Sequence, residues 1–147
     1  MSDLRSDAWG AAWAALLLRV TMGVYFLIHA GLKLFGFGIA GTEGFFASLG
    51  LPAWFAVLII ALEVVGGVAL ILGWNARVFA LLLAADLLGA IVLVHGQNGF
   101  FFTNKGGGWE YPALWVVALL AQALLGNGAY AIGTDWLAAR GRAAHVA

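Results

Sequence analysis

The chain has 147 residues, of which 64% are hydrophobic and only 10% charged; its formal net charge is zero and it has no cysteine. Ordinary soluble domains are roughly 45–50% apolar and about 25% charged, so water is the wrong solvent for most of this surface. Neutrality argues against nucleic acid or acidic partners, and the missing thiols exclude disulfides, iron–sulfur clusters and thiolate metal sites.

A helix needs about 20 mostly apolar residues to cross the hydrocarbon of a bilayer. Four stretches qualify in chain order: Ala11–Phe35, Pro52–Gly73, Ala76–Val94 and Pro112–Tyr130. The residues before the first, Met1–Trp9, carry Asp3 and Asp7 beside Arg5, and the run that follows is too long for a signal-peptide core, so the N-terminus is expected to be retained. Gly36–Gly41 is a glycine-rich break, and Pro52 places proline in the first turn of the second helix. Gly73-Trp74-Asn75 reads as a tight hairpin. His95–Gly108, rich in glycine, reads as a longer loop leading to Pro112 in the first turn of the fourth span. Runs of this length without two-residue alternation exclude a barrel. The expected fold is therefore all-α, a single membrane domain over residues 1–147 folded as a four-helix bundle.

Four spans put both termini on one side, with Arg5, Arg77, Arg140 and Arg142 there against Lys33 and Lys105 opposite. The positive-inside rule then makes both termini cytoplasmic. Trp9, Trp13, Trp54, Trp74, Trp109 and Trp136 fall near span ends, where indole prefers the headgroup region. The aromatic clusters Gly44-Phe45-Phe46 and Gly99-Phe100-Phe101-Phe102 lie in the outer loops, each preceded by a histidine near the outer end of an odd-numbered span, a weak sign of a duplicated hairpin. Beyond the last span, Thr134 would cap a short surface helix over 134–145 on the cytoplasmic side.

Charges within hydrocarbon need a partner, a cavity or a route to the interface, so the ionisable residues inside the spans are the informative ones. Arg19, Met22, Phe26, His29 and Lys33 form one stripe of the first helix, expected to face the bundle interior. Glu63, Gly66, Leu70 and Gly73 form a second stripe, and Asp86 with Gly89 a third; the glycines would let neighbouring backbones approach. Arg19 is expected to reach Glu63 or Asp86 near the midplane. Toward the outer surface His29, Lys33, His95 and Glu110 form a second group, with Lys33 and Glu110 as its ion pair. Each has a plainer reading too: a register-fixing pair for Arg19, snorkelling anchors for Lys33 and Arg77, a helix-start preference for Glu110, an interfacial residue for His95.

These residues together resemble the DoxX family of small bacterial and archaeal membrane proteins. The first-helix signature looks like Arg19, Gly23, His29, Gly31, Lys33, Leu34 and Phe35. Phe45–Pro52 is similar to the family's first outer loop, Glu63 with Gly66-Gly67 and Leu72-Gly73 to its second helix, and Arg77 to its inner loop. Gly107–Pro112 resembles the entry to its last helix and Gly126–Tyr130 its closing motif, so the resemblance covers about residues 15 to 135. Ala30 stands between the histidine and the glycine that usually follows it directly. The resemblance implies a multi-pass protein of the bacterial inner (cytoplasmic) membrane and, by analogy with a relative in a thiosulfate:quinone oxidoreductase, a redox system.

On that reading the chain is a membrane subunit that binds quinone, or a similar small apolar ligand, in a polar pocket between helices. Arg19, His29, Lys33, Glu63, Asp86, His95 and Glu110 are the candidates for ligand binding or proton relay. No dense metal-ligand motif is present; His29 and His95 could ligate haem, a reading that ranks below quinone. Alternatives are a non-catalytic adaptor that assembles a partner complex and a small-solute or proton carrier. Expected partners are the lipid bilayer, a soluble oxidoreductase and further copies of the chain, with no nucleic acid. No nucleophile and base constellation marks an independent enzyme.

Overall fold

The computed structural model describes residues 2–133 and 135. Helix α1 (Ser2–Gly31) runs into a π-helical turn (Leu32–Gly36), followed by α2 (Gly38–Ser48), α3 (Phe55–Leu72) and α4 (Ala76–Ala90). Helix α4 runs into a second π turn (Ile91–His95) and a 3₁₀ turn (Gly96–Asn98), and a loop leads to α5 (Glu110–Leu125). Three helical stretches, Asp7–Gly36, Phe55–Leu72 and Ala76–Asn98, are long and apolar enough to cross a membrane. Helix α5 is a shorter apolar helix of 16 residues that packs with them as a fourth. All regular structure among the described residues is helical. The expected surface helix over 134–145 lies, apart from Asp135, outside the described residues.

The bundle is two hairpins: α1 packs chiefly on α3, and α4 on α5. At the α1–α3 crossing Gly23 and Gly67 face each other so closely that a Cβ built on Gly23 would lie 2.6 Å from Gly67 O. Small residues at such crossings let backbones approach where lipid offers no hydrophobic drive for association. The interior is accordingly lined by Ala15, Ala30, Ala56, Ala69, Ala76, Ala80 and Ala84 around Met22, Phe26, Leu70, Leu83 and Leu119. Large apolar side chains such as Leu17, Ile28, Val65, Val92, Val117 and Leu124 point outward instead. Among the described residues the buried polar groups are Arg19, Thr42, Glu63, Asn75 and Gln122. A polar interior beneath an apolar surface is the arrangement that a lipid solvent selects.

Three features depart from the expected outline. Pro52 lies ahead of α3, which begins at Phe55, rather than in its first turn. The glycine-rich break after the first span is mostly helix: α2 packs on α3, with the Phe46 ring 6.2 Å from that of Phe55. Glycine weakens an isolated helix, but this tertiary packing outweighs the propensity. The last span also begins and ends earlier than expected, at Glu110 and Leu125, because Gly126 leaves the helix with φ 82°.

Candidate functional site

The two ends of the bundle use their charges differently. At the end that carries Arg19 and Arg77, the cations serve the backbone. The last four carbonyls of a helix lack intrahelical donors, and hydrocarbon supplies none. Helix α3 closes in a Schellman motif, with Gly73 at φ 72°, Trp74 N donating to Ala69 O (2.9 Å) and Gly73 N to Leu70 O (3.1 Å). Arg19 Nη1 donates to Leu70 O (3.0 Å) and to Ile71 O, while Ile132 N takes Leu72 O (3.0 Å). All four carbonyls are thereby satisfied. Arg19 Nη2 reaches on to Ala129 O (2.7 Å), tying the segment after α5 to the same clamp.

Arg77 repeats the device for α5. Its Nη1 donates to Ala123 O (2.6 Å) and Leu124 O (3.1 Å), and its Nε pairs with Asp135 Oδ2 (2.8 Å). Asn127 helps from the return segment, its Oδ1 accepting from Ala76 N at the start of α4 (3.0 Å). Gln122, fully buried, donates from Nε2 to Gly126 O (2.7 Å).

These contacts correct two expectations. Arg19 meets neither Glu63 nor Asp86. It lies 14 residues before Lys33, about 21 Å along the helix, at the level of the α3 terminus, whose orphan carbonyls and negative dipole end attract the guanidinium. Arg77, expected as a snorkelling anchor, is instead engaged by two carbonyls and a carboxylate.

The opposite end holds the charge cluster. Lys33 Nζ donates to both carboxylate oxygens of Glu63, at 2.7 and 2.8 Å. Glu63 is 4% exposed and Lys33 half-buried. Asp86, half-buried on α4, stands within electrostatic range of both. Among the described residues no donor reaches its carboxylate. The cluster therefore joins two carboxylates and one ammonium from α3, α4 and the turn after α1.

The expected Lys33–Glu110 pair does not form. Glu63 takes the lysine with both oxygens, and Glu110 Oε1 instead accepts from Phe102 N (3.2 Å), bracing its own loop. His29 also departs from the inward stripe. Arg19, Met22 and Phe26 are buried, but the His29 ring is exposed and stands edge-on to Trp115 of α5, with centroids 5.1 Å apart. Tyr25 stacks on the same indole at 5.2 Å. His29 remains within electrostatic range of Lys33, so its imidazole borders the cluster. His95 engages its loop, with Nδ1 3.0 Å from Gly107 O. Of the seven candidates the structure thus assembles Lys33, Glu63 and Asp86, with His29 at the edge, and disperses Arg19, His95 and Glu110. Trp115 went unread in the sequence because an aromatic within an apolar run carries no local signal.

The family comparison adds a relationship to this geometry. The family model for DoxX matches residues 14–96, more than half of the chain. The chain belongs to the DoxX family. The match takes in Arg19, His29, Lys33, Glu63, Arg77, Asp86 and His95 and stops before Glu110 and Trp115. Over 63 residues the chain is 46% identical to "Putative oxidoreductase CatD" of Bacillus subtilis (strain 168). That stretch covers 43% of this chain and 46% of the relative, so the match spans about half of the relative's length. No solved structure matches. Family membership and the three long apolar helices make the chain a multi-pass membrane protein.

Proposed function

We propose that this DoxX protein is a membrane subunit of a redox system in the bacterial inner membrane, binding quinone or a similar small apolar ligand at the Lys33–Glu63–Asp86 cluster. The observation that carries the reading is the Asp86 carboxylate, held beside an ion pair inside an apolar bundle with no donor of its own among the described residues. Intramembrane ionisable groups are costly to insert and mark ligand or proton pathways. A ring-shaped ligand entering from lipid beside Trp115 would meet His29 at the edge of the cluster. Lys33 would donate to a ligand oxygen, and Glu63 or Asp86 would exchange protons with it. The oxidoreductase name of the Bacillus subtilis relative supports a redox setting, with the electrons supplied or taken up by a soluble partner.

Titration calorimetry of the purified protein in lipid nanodiscs with a short-tailed benzoquinone tests this. The expected result is saturable binding that weakens about tenfold or more in Glu63→Gln and in His29→Ala, the range for a lost hydrogen bond to a charged group. Binding that is unchanged in both variants overturns the site.

A further inference from the structure

Lys33 does not sit in a regular helix. It lies in the π turn Leu32–Gly36, where Phe37 N donates to Leu32 O (3.0 Å) rather than to Lys33 O, as α-helical geometry would require. The Lys33 carbonyl is thereby deprived of its intrahelical donor within an apolar setting. The structure supplies a replacement: Thr42 Oγ1, on α2, lies 3.0 Å from Lys33 O and 2.9 Å from Gly38 O. Thr42 is 3% exposed and is the one residue of α2 that is buried. Gly36 ends the turn, with the Leu32 side chain packed over it.

We infer that Thr42 is a positioning residue for Lys33: its hydroxyl holds the π turn in the wide geometry from which Nζ reaches both oxygens of Glu63. A π turn carries one residue more per turn than an α-helix, so closing it to α would swing the lysine around the helix axis. A hydroxyl has one proton and two carbonyls to serve here, which makes the hold adjustable. The second π turn repeats the plan. Gly96 N donates to Ile91 O, Asn98 Nδ2 donates to Val94 O (3.2 Å), and His95 projects from the turn toward Gly107. At the same end of the bundle, then, α1 and α4 both close in a π turn that carries an ionisable residue and is braced by a polar side chain from just beyond it.

The chain has two lysines, Lys33 and Lys105, so an amine-reactive reagent reads the inference directly. Lys105 lies in the exposed loop and serves as the internal standard. Peptide mass spectrometry of nanodisc-embedded protein should show Lys33 protected relative to Lys105, with the protection lost in Glu63→Gln. Thr42→Ser should keep the protection, and Thr42→Val should raise Lys33 labelling about fivefold, the factor that loss of one ordinary hydrogen bond allows. Folded Thr42→Val with wild-type protection overturns the inference. Should Thr42→Val not fold, Thr42→Ala decides: Lys33 labelling raised above that of Thr42→Ser supports the role of the hydroxyl, and labelling equal to it refutes the role. The readout is independent of any ligand, so failure to bind quinone would remove the functional reading and leave this result standing.

Discussion

The arginine end and the lysine end of this bundle solve the same problem, charge in hydrocarbon, with opposite outcomes. Arg19 and Arg77 turn to backbone carbonyls whose positions are set by the helices, and among them they close the termini of α3 and α5. These carbonyl partners cannot titrate or move far, so the arginines act as fasteners, Arg77 with Asp135 as a further partner. Lys33 turns to a side chain, Glu63, and leaves Asp86 beside the pair with no donor among the described residues. A carboxylate left beside an ion pair at one end, and guanidinium groups given over to main-chain carbonyls at the other, is the difference between a site and a clamp.

Substitutions can break that contrast, and the largest effect is expected at Arg19. Arg19→Gln should destabilise the fold by about 3–5 kcal/mol, because buried carbonyls of Leu70, Ile71 and Ala129 lose a charged donor at once. Thermal unfolding in detergent measures it, and a variant as stable as wild type would show that Arg19 is not a fastener. Arg77→Gln should cost less, about 1–2 kcal/mol, since its site is partly open. The lysine end should answer in binding instead. Replacing Lys33→Met together with Glu63→Leu should change stability by less than about 1 kcal/mol, as apolar replacement of a whole buried pair often does, while abolishing quinone binding in calorimetry. A large loss of stability there would make the pair structural. Asp86→Asn is the finest probe: stability should stay within about 0.5 kcal/mol of wild type, and only ligand affinity should move.

Much of this was legible in the residues. The apolar runs, the punctuation at Gly73 and Pro112, and the need of Glu63 for a partner follow from hydropathy and from the cost of charge in lipid. The pairing was not. Counting residues along α1 placed Arg19, His29 and Lys33 on one stripe, yet His29, in the regular part of the helix, is exposed against Trp115 while Lys33 turns to Glu63. The π turn that holds Lys33 has no more of a signature in sequence than Gly31, Gly36 and a distant threonine. Asn98 and Thr42 likewise carry no sequence signal of the carbonyls they serve.

What the sequence determined by itself, then, is the solvent and the class of fold, because hydrophobicity summed over twenty residues is a local quantity that no neighbour can reverse. Which cation meets which anion was decided by tertiary structure alone. A long side chain chooses among every acceptor within reach, and the nearest acceptors of Arg19 are main-chain oxygens, which every residue type carries and no sequence pattern distinguishes.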